Sequence, residues 1–231
     1  ATTSFASGYL YVFDGSKACS EANIETDCIS SGATGIGKGV ISNGSGTTYF
    51  KPTANGTYKI AIDSYNDSGD VSLKVVEFDP AANQTCAAAQ TLTMSGGSVS
   101  VDGFTIGTSD EFAGAISCGG TTAYAGGQTY YKLNMQAGTT YYVNLAADHK
   151  AAVYLFSPAS ACTATAIEAD CASGGTSGAF SEITSASGGT AGFAFSPAAT
   201  GDYYLVVDTP TATDVGGYTL TVADSLPTLA I

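Results

Sequence analysis

The chain has no tryptophan, one histidine, two methionines and six prolines in 231 residues, and only 12% of its residues are charged. Seven lysines and arginines face twenty carboxylates, a formal net charge of −13. Nucleic acid and anionic membrane surfaces demand a basic footprint, so both are set aside as partners. No apolar run approaches the roughly 20 residues of a membrane helix. With one histidine and no Gly-x-Ser-x-Gly, the chain offers no nucleophile paired with a base. Asp148-His149-Lys150 reads as a strand-to-strand loop with His149 at the surface. Glu21, Glu25, Glu168 and Asp170 fall inside cysteine-bounded loops and read as solvated charge rather than a hydrolytic carboxylate pair. The expectation is a protein without catalysis.

What is abundant fits strands. Hydrophobic residues make up 44% of the chain, enough for a real core, with 29 glycines and 14 tyrosines. The length allows one or two domains. Helical periodicity is nearly absent. Tyr58, Ile60 and Ile62 alternate with Lys59, Ala61 and Asp63, and Tyr203, Leu205 and Val207 with Tyr204, Val206 and Asp208. That period of two marks strands with one face in a core. Asn55-Gly56 and Thr200-Gly201 supply turn residues before them, and Pro52 and Pro197 stand at strand ends. Many short strands with glycine-rich turns favour a β-sandwich. The tyrosine pairs Tyr130-Tyr131, Tyr141-Tyr142 and Tyr203-Tyr204 read as core and cross-strand residues rather than a stacking platform.

One stretch occurs twice. Ala18-Cys19 through Asp27-Cys28 returns as Ala161-Cys162 through Asp170-Cys171, preceded by Tyr11-Val12-Phe13 and Tyr154-Leu155-Phe156 respectively. Phe50 to Asp63 matches Phe195 to Asp208, and Val71, Leu73 and Val75 fall on Tyr218, Leu220 and Val222. The second copy also owns residues 83–148, which have no counterpart before Tyr9. The first copy is therefore the back half of a unit, with strands missing. The expected domains are 1–80, an incomplete sandwich; 81–224, a complete one; and 225–231, an apolar tail.

Six cysteines with internal symmetry favour three disulfides in an oxidising compartment. The repeated spacing suggests Cys19 with Cys28 and Cys162 with Cys171, leaving Cys86 for Cys118, each pair pinning a loop. Zinc prefers tighter Cys and His groupings. Ala1 in place of an initiator Met fits a processed, exported chain.

The order Gly127-Gln128-Thr129-Tyr130-Tyr131-Lys132-Leu133, Ala137-Gly138-Thr139, Ala152 to Phe156, Thr200-Gly201-Asp202-Tyr203-Tyr204-Leu205-Val206-Val207 and Gly217 to Val222 resembles the bacterial pre-peptidase C-terminal (PPC) domain. The likeness covers about 83–223 as a whole domain and 9–78 as the back half of another. It implies a jelly-roll-like antiparallel β-sandwich, secreted, non-catalytic and in some members calcium-binding. The Cys-x8-Cys segment resembles the cysteine-bearing versions of the repeat.

Calcium is the one ion the residues suggest. Asp63, Asn66, Asp67 and Asp70 concentrate oxygen ligands, and Asp208 with Asp214 repeats part of the pattern, although Asn-Asp-Ser-Gly is also an ordinary turn. A sandwich lacking strands exposes apolar surface and open edges that recruit other chains. The tail offers Leu226, Leu229 and Ile231 as donor residues. The function expected is a secreted structural or adhesive subunit polymerising head to tail with itself by strand complementation. The alternative is an ancillary substrate-binding or secretion-assisting region of a secreted peptidase or hydrolase.

Overall fold

The structure is a computed structural model. It describes residues 1–29, 38–46, 48, 50, 52, 55–77, 79–114, 116–157, 159–160, 162–173, 175 and 177–225, without the side chains of Glu25, Asp27, Cys28, Ile29 and Lys38. The chain divides into two compact units, Ala1–Phe78 and Asp79–Ile231.

The second unit is an all-β sandwich. Its strands are β6 (Gln90–Leu92), β7 (Ser98–Phe104), β8 (Gln128–Met135), β9 (Tyr141–Ala147), β10 (Ala151–Phe156), β11 (Ala179–Ile183), β12 (Gly189–Phe195), β13 (Gly201–Asp208) and β14 (Gly217–Ala223). One sheet has the order β11-β10-β13-β8-β6 and the other β12-β9-β14-β7. All of these pairs are antiparallel except β6 with β8, which is parallel and departs from the purely antiparallel expectation. Alternation along β8, β9, β13 and β14 sends Tyr131, Leu133, Val143, Leu145, Leu205, Val207, Leu220 and Val222 into the space between the sheets.

The strand β10 is buried along its whole length, so its sequence, Ala-Ala-Val-Tyr-Leu-Phe, is a continuous apolar run instead of an alternation. Val153 and Leu155 enter the sandwich core, while Tyr154 and Phe156 join a second cluster on the other side of the sheet. There Ile116, Tyr130, Ile167 and Val206 pack with Cys86, Cys118 and Cys171.

Helices occupy the two cysteine-bounded stretches where loops were expected. They are α1 (Glu21–Ile29) and α2 (Ala164–Cys171). Extended Thr163 caps α2, its side chain accepting from the Ala166 amide. Three alanines among the following residues carry its roughly two turns, and Ile167 anchors it in the second cluster.

The first unit holds β1 (Thr2–Thr3), β2 (Ser7–Asp14), β3 (Lys38–Ser42), β4 (Tyr58–Ser64) and β5 (Val71–Ser72). Its sheet order is β3-β2-β4, with β1 and β5 forming a short ladder. This reproduces β11-β10-β13 of the second unit, and the registers agree residue for residue. Val12 faces Ile60 as Leu155 faces Leu205, and Tyr11 faces Lys38 as Tyr154 faces Phe180. Val12 and Phe13 form a small core with Ile24, Phe50, Tyr58 and Ala61.

Candidate assembly surface

The repeat gives every position of the first unit an internal reference. In the second unit β13 has β10 on one edge and β8 on the other. Its counterpart β4 has β2 on one edge and, among the described residues, no strand on the other. Likewise β14 lies between β9 and β7, whereas the matching segment from Val71 pairs only over two residues with β1.

Burial follows this difference in neighbours. Leu205, Leu220 and Val222 are fully buried, and Tyr218 is 5% exposed. Their counterparts Ile60, Leu73, Val75 and Val71 are 37%, 44%, 67% and 45% exposed. Among the described residues, seven of the eight exposed large hydrophobic side chains fall in the first unit, adding Val40, Tyr65 and Val76. Single exposed aliphatics are ordinary on a protein surface. Here they recur at positions whose twins form a core, which points to a surface built for cover. The unit is not uniformly open, since Phe5, Leu10, Val12 and Ile41 are buried.

The cysteines correct the expected pairing. The bonds are Cys86–Cys162 and Cys118–Cys171, not Cys162–Cys171 and Cys86–Cys118. Each joins residues 83–148 to the back half, because Cys162 and Cys171 lie at opposite ends of α2 and present their sulfurs to different segments. Cys19, the counterpart of Cys162, is exposed and has no disulfide partner among the described residues. The Cys28 side chain, and with it the expected Cys19–Cys28 bond, lies outside the described residues. Two disulfides mark an exported protein that folds in an oxidising compartment.

The expected calcium ligands are not gathered. Asp63 is the next-to-last residue of β4, Asp67 accepts from the Ser68 amide at 2.8 Å, and the Asp70 amide donates to Ser4 Oγ at 2.9 Å. Among the described residues the one convergent group of potential ligands is Cys118, Glu168 and Cys171. Its sulfurs are spent in a disulfide. Its carboxylate accepts from the amides of Ser117, Cys118 and Gly119 and from the Ser117 hydroxyl, at 2.6–2.9 Å. Burial acts to raise the Glu168 pKa, and these four donors outweigh it and hold the pKa below the ordinary value. Glu168 is thus a strut between α2 and the 117–119 turn, where solvated loop charge was expected.

Asp208 and Asp214 do not converge either. Asp214 accepts from Thr211 Oγ1 at 2.7 Å. Asp208 is fully buried, accepting from the Tyr154 hydroxyl at 2.9 Å and the Thr209 amide at 2.7 Å. Burial drives its pKa well above the usual carboxylate value, against the pull of both donors. Sequence reasoning also placed His149 at the surface, but it is 5% exposed. Its ring nitrogens meet Thr105 Oγ1 at 3.2 Å and Asp148 Oδ1 at 3.0 Å, and the Gly216 and Gly217 amides donate to these same two oxygens, which ties the ends of β7, β9 and β14 together. Gly216 leaves room for it: a Cβ there would come within 2.5 Å of the ring. Leu226, Leu229 and Ile231, the expected donor residues, lie outside the described residues.

No family model and no curated protein matches the chain. Among solved structures, it is similar to a periplasmic lysozyme inhibitor of g-type lysozyme, PliG from Aeromonas hydrophila, at 16% identity and a TM-score of 0.35. That match covers 58% of this chain and 94% of the other.

Proposed function

We propose that this is a non-catalytic, extracellular structural or adhesive subunit of PPC-like modules, whose half-built first unit is completed by a strand-bearing segment of a neighbouring polypeptide. The observation that carries it is the exposure of Ile60, Val71, Leu73 and Val75 where Leu205, Tyr218, Leu220 and Val222 are buried. The edge of β4 that has no strand beside it among the described residues supplies backbone donors and acceptors, and the exposed aliphatics supply the apolar face that an added strand must cover.

Completion of one subunit's first unit by the next is a head-to-tail contact, and such contacts extend into fibres unless their rotation closes. Charge favours the first unit as the receiving end: it carries five lysines against eight carboxylates, a net of −3, while the second carries two against twelve, a net of −10. Repulsion between two subunits is least where one of them is least acidic.

The test is the assembly state of native material by negative-stain electron microscopy and sedimentation. Filaments or stable complexes are expected. A monomer that binds nothing further sinks the proposal and leaves an ancillary region of a larger secreted hydrolase as the reading to pursue.

A further inference from the structure

We infer that the segment completing the first unit is joined to it by a disulfide at Cys19, and that the partner is a polypeptide built like residues 83–147 with its own cysteine in the place of Cys86. This rests on the completion reading above and adds to it a covalent bond and a partner class.

The matching registers make Cys19 the structural twin of Cys162. Cys162 itself is exposed on the back half, and its bond reaches Cys86 in the short helical turn Cys86–Ala88 just before β6. That turn belongs to the portion with no counterpart in the first unit. The same portion contributes β7 and β9, which flank β14 and bury Leu220 and Val222. A Cys19 without a disulfide partner among the described residues and exposed aliphatics at Leu73 and Val75 are therefore two independent marks of one absent segment.

Among the described residues no cysteine is left for that bond. Cys86, Cys118, Cys162 and Cys171 are consumed in their own bonds. Asp224 to Ile231 contains no cysteine, so a second copy donating this tail brings no thiol. The partner is thus a segment outside residues 1–231 that carries strands resembling β6 to β9.

Bond formation needs an oxidant, here a disulfide-bearing thiol–disulfide carrier of the export compartment. The Cys19 thiolate attacks the carrier disulfide and forms a mixed disulfide. The partner's thiolate then displaces the carrier. One S–S bond forms between the two chains, one breaks in the carrier, and two electrons and two protons leave with the carrier as its dithiol.

The experiment is disulfide mapping of native material, alkylated before digestion and never reduced, combined with sedimentation of the same preparation. Cleavage after Lys17, Glu21 and Glu25 separates Cys19 from Cys28. The expected result is the peptide Ala18–Glu21 linked to a cysteine peptide that is not from this sequence and that precedes a strand-patterned run. In Cys19→Ser material the complex should still sediment as an assembly and should fall apart in unreduced SDS. Cys19 recovered alkylated, bonded to Cys28, or bonded to another Cys19 in material that still assembles overturns the disulfide and leaves completion standing. The same recoveries from monomeric material overturn both.

Discussion

Leu73 and Leu220 occupy equivalent positions in the repeat, one 44% exposed and the other fully buried, and truncating each to alanine separates the two units energetically. For Leu220→Ala, transfer and cavity terms add, and the second unit should lose about 2–5 kcal/mol. In a unit of this size that lowers the midpoint of its thermal transition by roughly 2–4 °C per kcal/mol. For Leu73→Ala in the isolated chain there is little cavity to open and only part of the side chain to re-expose, so the cost should stay near 1 kcal/mol. Once a partner covers Leu73, its environment becomes that of Leu220. The extra loss of about 2 kcal/mol or more then appears in association, a weakening of about 30-fold. Hydrogen–deuterium exchange reports the two units separately in the isolated chain, and sedimentation reports the assembly. Two results refute the reasoning: Leu73→Ala costing the isolated first unit as much as Leu220→Ala costs the second, or Leu73→Ala leaving association unchanged.

Asp208→Asn should stabilise the second unit at neutral pH. The folded pKa of Asp208 is raised, so between the unfolded value near 3.8 and that raised value the fold holds a proton the unfolded chain has released. Stability therefore falls as pH rises through this window, by up to about 1.4 kcal/mol per pH unit. Urea midpoints of the wild type and the variant across pH 4.5–8 test this, and parallel profiles contradict it. Glu168 acts in the opposite sense. Its folded pKa is lowered from 4.5, so its contribution is present above that value and lost on acidification. Glu168→Gln should consequently flatten the acid limb of a profile extended below pH 4.5 and increase exchange at the 117–119 amides. Replacing Cys118 and Cys171 together by serine should cost the second unit about 2–5 kcal/mol in denaturant titration, because a bridge across 53 residues restricts the unfolded chain. A loss below about 1 kcal/mol argues that the bridge adds little to the fold.

Much of the architecture is legible in the sequence because repeats and period-two alternation are written in side-chain order. The matches of Tyr11 with Tyr154 and Ile60 with Leu205 anticipate the shared register of β2–β4 and β10–β13. The exposure of Leu73 and Val75 also follows from the missing strands, since the pattern that buries Leu220 and Val222 is present without its cover. The disulfides were misread because a recurring Cys-x8-Cys looks like a local bridge. Once that stretch forms α2, Cys162 lies before the helix and Cys171 at its end, and each meets the segment packed nearest. The helices themselves were hidden by their brevity: eight or nine residues give too little periodicity, although Thr163 followed by alanines was a usable cap signal. Asp208 and His149 are polar residues whose burial depends on partners more than fifty residues away or on a backbone opening at Gly216, neither of which local sequence displays.

The bridge between Cys86 and Cys162 also has a mechanical consequence. In the fibre proposed above, a subunit under load is pulled along its backbone, and tension takes the shortest covalent path. The 76-residue span between these two sulfurs is short-circuited and hidden from the pull, which withholds about 25 nm of extension from each subunit. Under oxidising conditions the complete module should therefore yield in a short, capped step, and a reductant should lengthen that step in single-molecule stretching.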